Sequence, residues 1–193
     1  MKRIMFYKAG TKKERQPSGG RITKESGTVL LLTAFLCGSL LGAFAAVSGK
    51  TVGGTETAET PLSIFLKHLL LFVGMELVSF FLSTGPWGAL FLPTVPLFLG
   101  LSSAHLLTVL LIQNGYAGAA VFAKSYLPTY LIAQTALLLY VWVGKGFSRS
   151  LAEMFKGRGS QQPETKSFLL FSGVILLVLI GASALTLFTV SND

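Results

Sequence analysis

The sequence predicts an all-α membrane protein, a polytopic transmembrane helical bundle of about five spans. Of its 193 residues, 51% are hydrophobic and only 12% are Asp, Glu, Lys or Arg, whereas soluble domains carry about 25% charged residues. The charges lie in short segments between long apolar runs, and the two most basic segments are residues 1–27 and 144–166. Runs of about 20 apolar residues are long enough to cross a hydrocarbon core about 30 Å thick.

Two regions follow from this pattern. Residues 1–27 are expected to form a basic cytoplasmic arm that lies on the anionic inner leaflet of the membrane. Residues 28–190 are expected to form the transmembrane helical domain. The expected spans cover residues 28–47, 62–82, 87–112, 128–143 and 167–190.

The first apolar run, residues 28–47, is interpreted as a retained span. Its small residues superficially resemble a signal-peptide cleavage site, but secretory apolar regions are shorter, about 7–15 residues. Gly38 and Gly42 form a G-x-x-x-G pattern in this run, and such spacing lets a neighbouring helix approach closely. Ordinary membrane-helix glycines explain the pattern equally well. The single cysteine, Cys37, is interpreted as a small apolar helix residue.

Residues 116–127 are the least regular part of the pattern, apolar except for Lys124 and followed by Pro128. They predict a short or re-entrant helix packed against the bundle. If these residues join the next span in one bent helix, the number of spans stays at five. If they cross the membrane separately, it becomes six. Residues 144–166 contain Gly, Ser and Pro as well as the basic residues, and they are expected to form a cytoplasmic loop.

The distribution of basic residues predicts the orientation, because Lys and Arg accumulate on the cytoplasmic side of membrane proteins. Five spans place residues 1–27 and residues 144–166 on that same side, with the N-terminus inside and the C-terminus outside. Six spans would place one basic cluster on the wrong side. The expected location is therefore the cell membrane, as a multi-pass protein.

Glu76 is the main candidate for intramembrane chemistry, since it lies near the middle of the second span. A charged group at this depth costs about 2.5–3.5 kcal/mol on insertion scales, so it should face a partner or a wet cavity. His105 and Lys124 are candidate partners from other helices. The carboxylate is expected either to line an ion or proton path or to make a structural hydrogen bond between helices.

No sequence pattern indicates an enzyme, a cofactor or a metal site. The phosphate-binding G-x-x-x-x-G-K-[ST], the zinc-binding H-E-x-x-H and the nucleophilic G-x-S-x-G patterns do not occur. His68 and His105 are isolated from Cys, Asp and Glu at ligand spacing. The net charge of +8 flanks apolar runs, where membrane topology explains it, so no nucleic-acid partner is expected.

The segment Ser125-Tyr126-Leu127-Pro128-Thr129-Tyr130-Leu131-Ile132, after Gly115-Tyr116 and before the basic Gly-Lys-Gly-Phe-Ser-Arg-Ser-Leu, resembles the stage II sporulation protein M family. The resemblance covers about residues 28–190 and is most specific at Leu127-Pro128. Many members have Asn, His or an acidic residue shortly after the Leu-Pro. Here Gln134 is the nearest polar substitute, so Pro128 and Gln134 are candidate packing or polar positions.

The resemblance implies an integral membrane scaffold in endospore formation. Such a protein positions the peptidoglycan-degrading stage II sporulation proteins D and P at the septum and engulfing membrane, and is not itself a hydrolase. Its expected partners are these wall-remodelling proteins, other membrane proteins and membrane lipids. The alternative hypothesis is a transporter or channel subunit with Glu76 in an ion or substrate path, to which the prolines at the start of the third span could contribute.

Overall fold

The computed structural model describes residues 20–49, 60–157 and 164–190, and nearly all of them are helical. The structure is 93% helical with no strands in its described part, as the sequence predicts. The predicted arm lies largely outside the described residues. The elements are α1 (Gly20–Gly49), α2 (Pro61–Thr84), α3 (Gly88–Phe91), α4 (Thr94–Asn114), α5 (Tyr116–Val121), a π-helical turn (Phe122–Tyr126), α6 (Leu127–Phe155) and α7 (Thr165–Val190).

Five helical segments of the described chain are long and apolar enough to cross a membrane, which confirms the predicted multi-pass architecture. The third of them combines α3 and α4, with a short turn before Thr94 where Leu92 and Pro93 lie. The segments are Gly27–Gly49, Pro61–Thr84, Gly88–Asn114, Tyr116–Phe155 and Thr165–Thr189.

Two predicted boundaries are corrected by the structure. Helix α1 begins at Gly20, so the last part of the predicted arm is helical. Helix α6 continues to Phe155, so the first half of the predicted loop at residues 144–166 is helical too. Gly144 does not break the helix, because it is a point of close packing where an added Cβ would collide with the Ser83 hydroxyl. Gly157 lies just past the end of the helix, and its positive φ of 66° is typical of that position.

Residues 116–127 are not a separate re-entrant helix but the first part of a helical segment that runs from Tyr116 to Phe155. The irregularity that the sequence indicated is the π-helical turn at Phe122–Tyr126, where the Leu127 amide donates to the Phe122 carbonyl. Pro128 accounts for this wider turn, because proline has no amide hydrogen and its ring collides with the carbonyl four residues earlier. The turn lets the helix pass the proline without ending.

The π-helical turn is fastened to the last span. The Thr189 hydroxyl lies 2.9 Å from the Ser125 carbonyl oxygen and donates to it, joining α7 to the turn. A threonine in a helix commonly donates to the carbonyl four residues earlier. For Thr129 this is the Ser125 carbonyl, which already accepts the hydrogen bond from Thr189. Thr129 is fully buried, and its hydroxyl is the one buried side-chain polar atom with no hydrogen-bond partner in the described part of the chain.

The helices pack as a group of three and a group of two. Helices α2, α6 and α7 pack against one another, and α1 packs mainly against α4. Buried apolar side chains fill the centre of the three-helix group, among them Phe72, Leu137, Tyr140, Val141 and Leu179. The α1–α4 pair joins this group mainly through contacts between α4 and α6.

Glycines bring α1 and α4 into backbone contact. An added Cβ at Gly38 would collide with the Leu97 carbonyl oxygen, and one at Gly42 would collide with the Leu101 carbonyl oxygen. Gly100 of α4 lies equally close to the α1 backbone at Phe35. From the Gly38–Leu97 contact to the Gly42–Leu101 contact, both helices advance by four residues, so they run parallel. The G-x-x-x-G pattern therefore does form a helix-packing seam.

Gly27, the last residue of the first basic region, and the cationic residues of α6 lie at one end of the bundle, here called the basic end. Gly27 of α1 lies close to the Lys145 ammonium of α6, since an added Cβ would be 3.8 Å from its nitrogen. Gly27, Lys145 and Arg149 also line one cavity. This arrangement agrees with the expectation that both basic regions face the same side, and the assignment of that side as cytoplasmic stays a prediction from the charge rule.

The glycine seam predicts an asymmetric response to Gly→Ala substitution. Gly38→Ala should destabilise the protein by about 1–3 kcal/mol, because the methyl group forces two backbones apart. Gly173→Ala is the matched control, since Gly173 is a helical glycine with open space around it. Thermal unfolding of both variants in the same detergent measures the difference, and equal melting temperatures would contradict the seam.

The π-helical turn predicts opposite effects for two Thr→Val substitutions. Thr189→Val removes the donor to Ser125 and should destabilise by about 0.5–1.5 kcal/mol. Thr129→Val removes a buried hydroxyl without a partner, and should stabilise by about 1 kcal/mol because its desolvation is no longer uncompensated. The melting temperatures of the two variants test this, and Thr129→Val should have the higher one. A lower melting temperature for Thr129→Val would mean that Thr129, not Thr189, donates to the Ser125 carbonyl.

Candidate functional site

A chain of hydrogen bonds joins three helices around Glu76. The Ser172 hydroxyl of α7 donates to Glu76 Oε1 of α2 over 3.0 Å. The Tyr140 hydroxyl of α6 lies 3.4 Å from the Ser172 oxygen and donates to it. Glu76 is only 3% exposed and Tyr140 is fully buried. The carboxylate is therefore held inside the three-helix group rather than placed on its surface.

The structure gives Glu76 a different partner from those that the sequence suggested. His105 and Lys124 were the candidates, but the hydrogen bond comes from Ser172. Of the two roles expected for Glu76, a structural bond between helices matches this geometry. An unpaired charge at this depth would be costly, and a hydroxyl donor from a second helix reduces that cost while fixing how the helices pack.

A cavity of about 530 Å³ with both polar and apolar lining residues, here called the polar cavity after its polar side chains, lies at the other end of the bundle from the basic end. It opens between α2, α4 and the π-helical turn with the start of α6. Lysine, histidine, serine and tyrosine side chains form its polar lining. They are Lys67, His68, Ser102, His105, Tyr126 and Tyr130. This end is the outer side in the predicted orientation.

His68 is the most constrained residue of this cavity. Its Nδ1 lies 2.9 Å from the Ile64 carbonyl oxygen, and because a carbonyl only accepts, Nδ1 carries the hydrogen. The ring packs edge-on against Tyr130 with centroids 5.4 Å apart, and it lies 5.8 Å from the ring of Tyr126. Ser102 and Tyr130 both line the cavity. These contacts fix the shape of the polar wall.

An aromatic layer lies between the cavity and Glu76. Phe72 lies one helical turn from His68 and one turn from Glu76 on the same face of α2. It is fully buried and packs edge-on against Tyr130, with ring centroids 5.5 Å apart. The polar cavity and the buried carboxylate are therefore two separate sites in this conformation.

The predicted candidate residues do not form one site. Glu76 belongs to the buried hydrogen-bond chain and His105 to the polar cavity. Lys124 lies on the exposed side of the π-helical turn, and Pro128 lies in the first turn of α6. Gln134 lines a crevice between α1 and α6, far along the helix from the turn. These five residues therefore lie in different parts of the bundle.

Ser172 and Tyr140 were not identified from the sequence, although a depth count would have suggested Ser172. Glu76 lies eight residues before the end of α2 at Thr84, and Ser172 lies seven residues after the start of α7 at Thr165. The two positions are therefore at nearly the same depth, counted in residues from the helix ends at the basic end. Polar residues at equal depth on different spans are the ones that can meet.

Comparison of the chain with protein-family models, curated proteins and solved structures returns no match. The resemblance to the stage II sporulation protein M family thus stays a prediction. The described residues contain no cluster of three or more His, Cys, Asp and Glu side chains that could hold a metal ion.

The hydrogen-bond chain predicts non-additive effects on stability. Ser172→Ala leaves the Glu76 carboxylate without its donor and should cost about 1–3 kcal/mol. Adding Glu76→Leu should recover much of this loss, because a buried polar pair replaced by apolar groups is often close to neutral. A double-mutant cycle on detergent melting temperatures measures the coupling. Strictly additive effects would mean that the two side chains do not interact.

Proposed function

We propose that the protein is a non-catalytic membrane scaffold that holds other proteins at the cell membrane. The observation that carries this proposal is the hydrogen-bonded Glu76 in the centre of the three-helix group. A carboxylate fastened to Ser172 supports a fixed frame, whereas a conducting site needs contact with water or a substrate. The apolar outer faces of all five spans remain available to lipids and to the helices of partner proteins.

The process in which such a scaffold acts is proposed from the sequence resemblance alone. The segment around Leu127-Pro128 resembles the stage II sporulation protein M family, which makes endospore formation the first process to test. The partners would be the peptidoglycan-degrading stage II sporulation proteins D and P at the septum and engulfing membrane. In the predicted orientation, the polar cavity faces the side of the membrane where cell-wall material lies.

A transporter or channel subunit is the second candidate, and the polar cavity favours it. The cavity carries Lys67, His68 and His105 and has room for a small polar solute. In this conformation, however, Phe72 and Tyr130 lie between the cavity and Glu76. Transport would require this aromatic layer to move, so a role for Glu76 in a path depends on a second conformation.

Glu76→Gln separates the two functions. Glutamine has the same shape and can still accept the hydrogen bond from Ser172, so the fold should be retained. A scaffold should then recover the same partners as the unsubstituted protein when isolated from sporulating cells in mild detergent. A transporter that uses the carboxylate should instead lose solute or proton flux in liposomes.

The outcomes of this experiment are distinct. Recovery of wall-remodelling proteins with both forms, and no flux with either, supports the scaffold. Flux that disappears with Glu76→Gln contradicts it and supports the transporter. Recovery of no wall-remodelling protein by either form contradicts the proposed role in endospore formation. Ser172→Ala serves as the control for effects of the hydrogen bond that do not involve the charge.

A further inference from the structure

A crevice separates α1 from α6 because α1 is held mainly by α4. Its apolar part has a volume of about 460 Å³ and is lined by Leu31, Phe35 and Thr28 on α1. A second part of about 340 Å³ continues it to the basic end. Leu31 and Trp142 line both parts, so the two form one groove, here called the α1–α6 crevice.

The wall of the crevice on α6 changes from apolar to cationic along one face of the helix. Its lining residues recur every three or four positions, which is the spacing of a single helix face. In order along α6 they include Leu131, Gln134, Leu138, Trp142, Lys145 and Arg149. The Lys145 nitrogen lies close to Gly27 of α1, so the cations stand at the mouth of the crevice at the basic end.

The dimensions of the crevice match one leaflet of a bilayer. Leu131 and Trp142 are eleven residues apart, which is about 16 Å at a rise of about 1.5 Å per residue. Half of a hydrocarbon core of about 30 Å is about 15 Å. Trp142 then lies at the level where Trp side chains are enriched, the boundary between the apolar core and the headgroups. Lys145 and Arg149 lie at the level of the headgroups.

We infer that the α1–α6 crevice binds one anionic glycerophospholipid from the leaflet at the basic end. An acyl chain occupies the apolar part between α1 and α6, and the phosphate contacts Lys145 and Arg149. Charge complementarity selects this occupant, because a bilayer lipid carries an anionic group at that depth above an apolar chain. At the level of the two cations, a partner helix would carry flanking residues rich in Lys and Arg, which Lys145 and Arg149 would repel.

Native mass spectrometry of the purified full chain tests this inference, with phosphatidylglycerol and phosphatidylcholine supplied separately in micelles. One phosphatidylglycerol per chain should be retained in preference to phosphatidylcholine. Each interfacial Lys or Arg contributes about 1 kcal/mol to binding an anionic membrane lipid, so Lys145→Gln with Arg149→Gln should weaken binding about tenfold or more. Lys156→Gln with Lys166→Gln is the matched control, since both residues lie near the same end and line neither part of the crevice.

A second variant tests the apolar part without removing charge. Leu32 of α1 lines the crevice and is exposed, so Leu32→Trp should fill the groove without disturbing the core, and should reduce phosphatidylglycerol retention. Leu177→Trp on an exposed face of α7 is its control and should leave retention unchanged.

Three results would overturn the inference. Equal retention of the two lipids would mean that the cations do not select the headgroup. Equal loss in the Lys156→Gln, Lys166→Gln control would mean that the charge acts as a diffuse surface. Full retention with Leu32→Trp would place the lipid outside the crevice.

Discussion

Hydroxyl groups that reach from one helix to another hold this bundle together at the places where regular helix geometry fails. In hydrocarbon there is no water to bond with a free backbone or side-chain group, so each one needs a partner within the protein. Thr189 donates a hydrogen bond to the Ser125 carbonyl at the π-helical turn. Ser148 bonds to the turn between α2 and α3. It donates to the Gly85 carbonyl over 2.6 Å and accepts from the Ala89 amide over 3.0 Å.

Ser172 adds a third hydroxyl bond, to the Glu76 carboxylate, within the regular part of α2. The three hydroxyls come from α6 and α7. Thr189 acts at the π-helical turn, Ser172 at the centre of the three-helix group and Ser148 at its far end. These bonds accompany the packing of α2, α6 and α7 against one another. They also favour a frame of fixed shape, and the proposed scaffold function depends on such a frame more than on any single exposed residue.

The number and approximate extent of the spans could be predicted, because length and hydropathy determine which segments enter a bilayer. The end of α6 could not, since Gly144 looks like a helix breaker in the sequence and acts as a packing contact against Ser83 in the structure. The π-helical turn was visible only as an irregularity before Pro128. The partner of Glu76 was missed because Ser172 is an ordinary serine, whose importance comes entirely from its depth and facing helix. Gly38 and Gly42 were recognised as a motif, but only the structure identifies α4 as the helix that they meet.

The seam between α1 and α4 also constrains how the protein is made. Gly38 meets Leu97, and 59 residues separate them along the chain. At a synthesis rate of about 5–20 residues per second, α1 waits about 3–12 s for its partner. During that time two further helices, α2 and α3, must leave the ribosome while the glycine face of α1 is open to lipid or to other newly inserted helices. Assembly of this bundle is therefore a matter of timing as well as of fit.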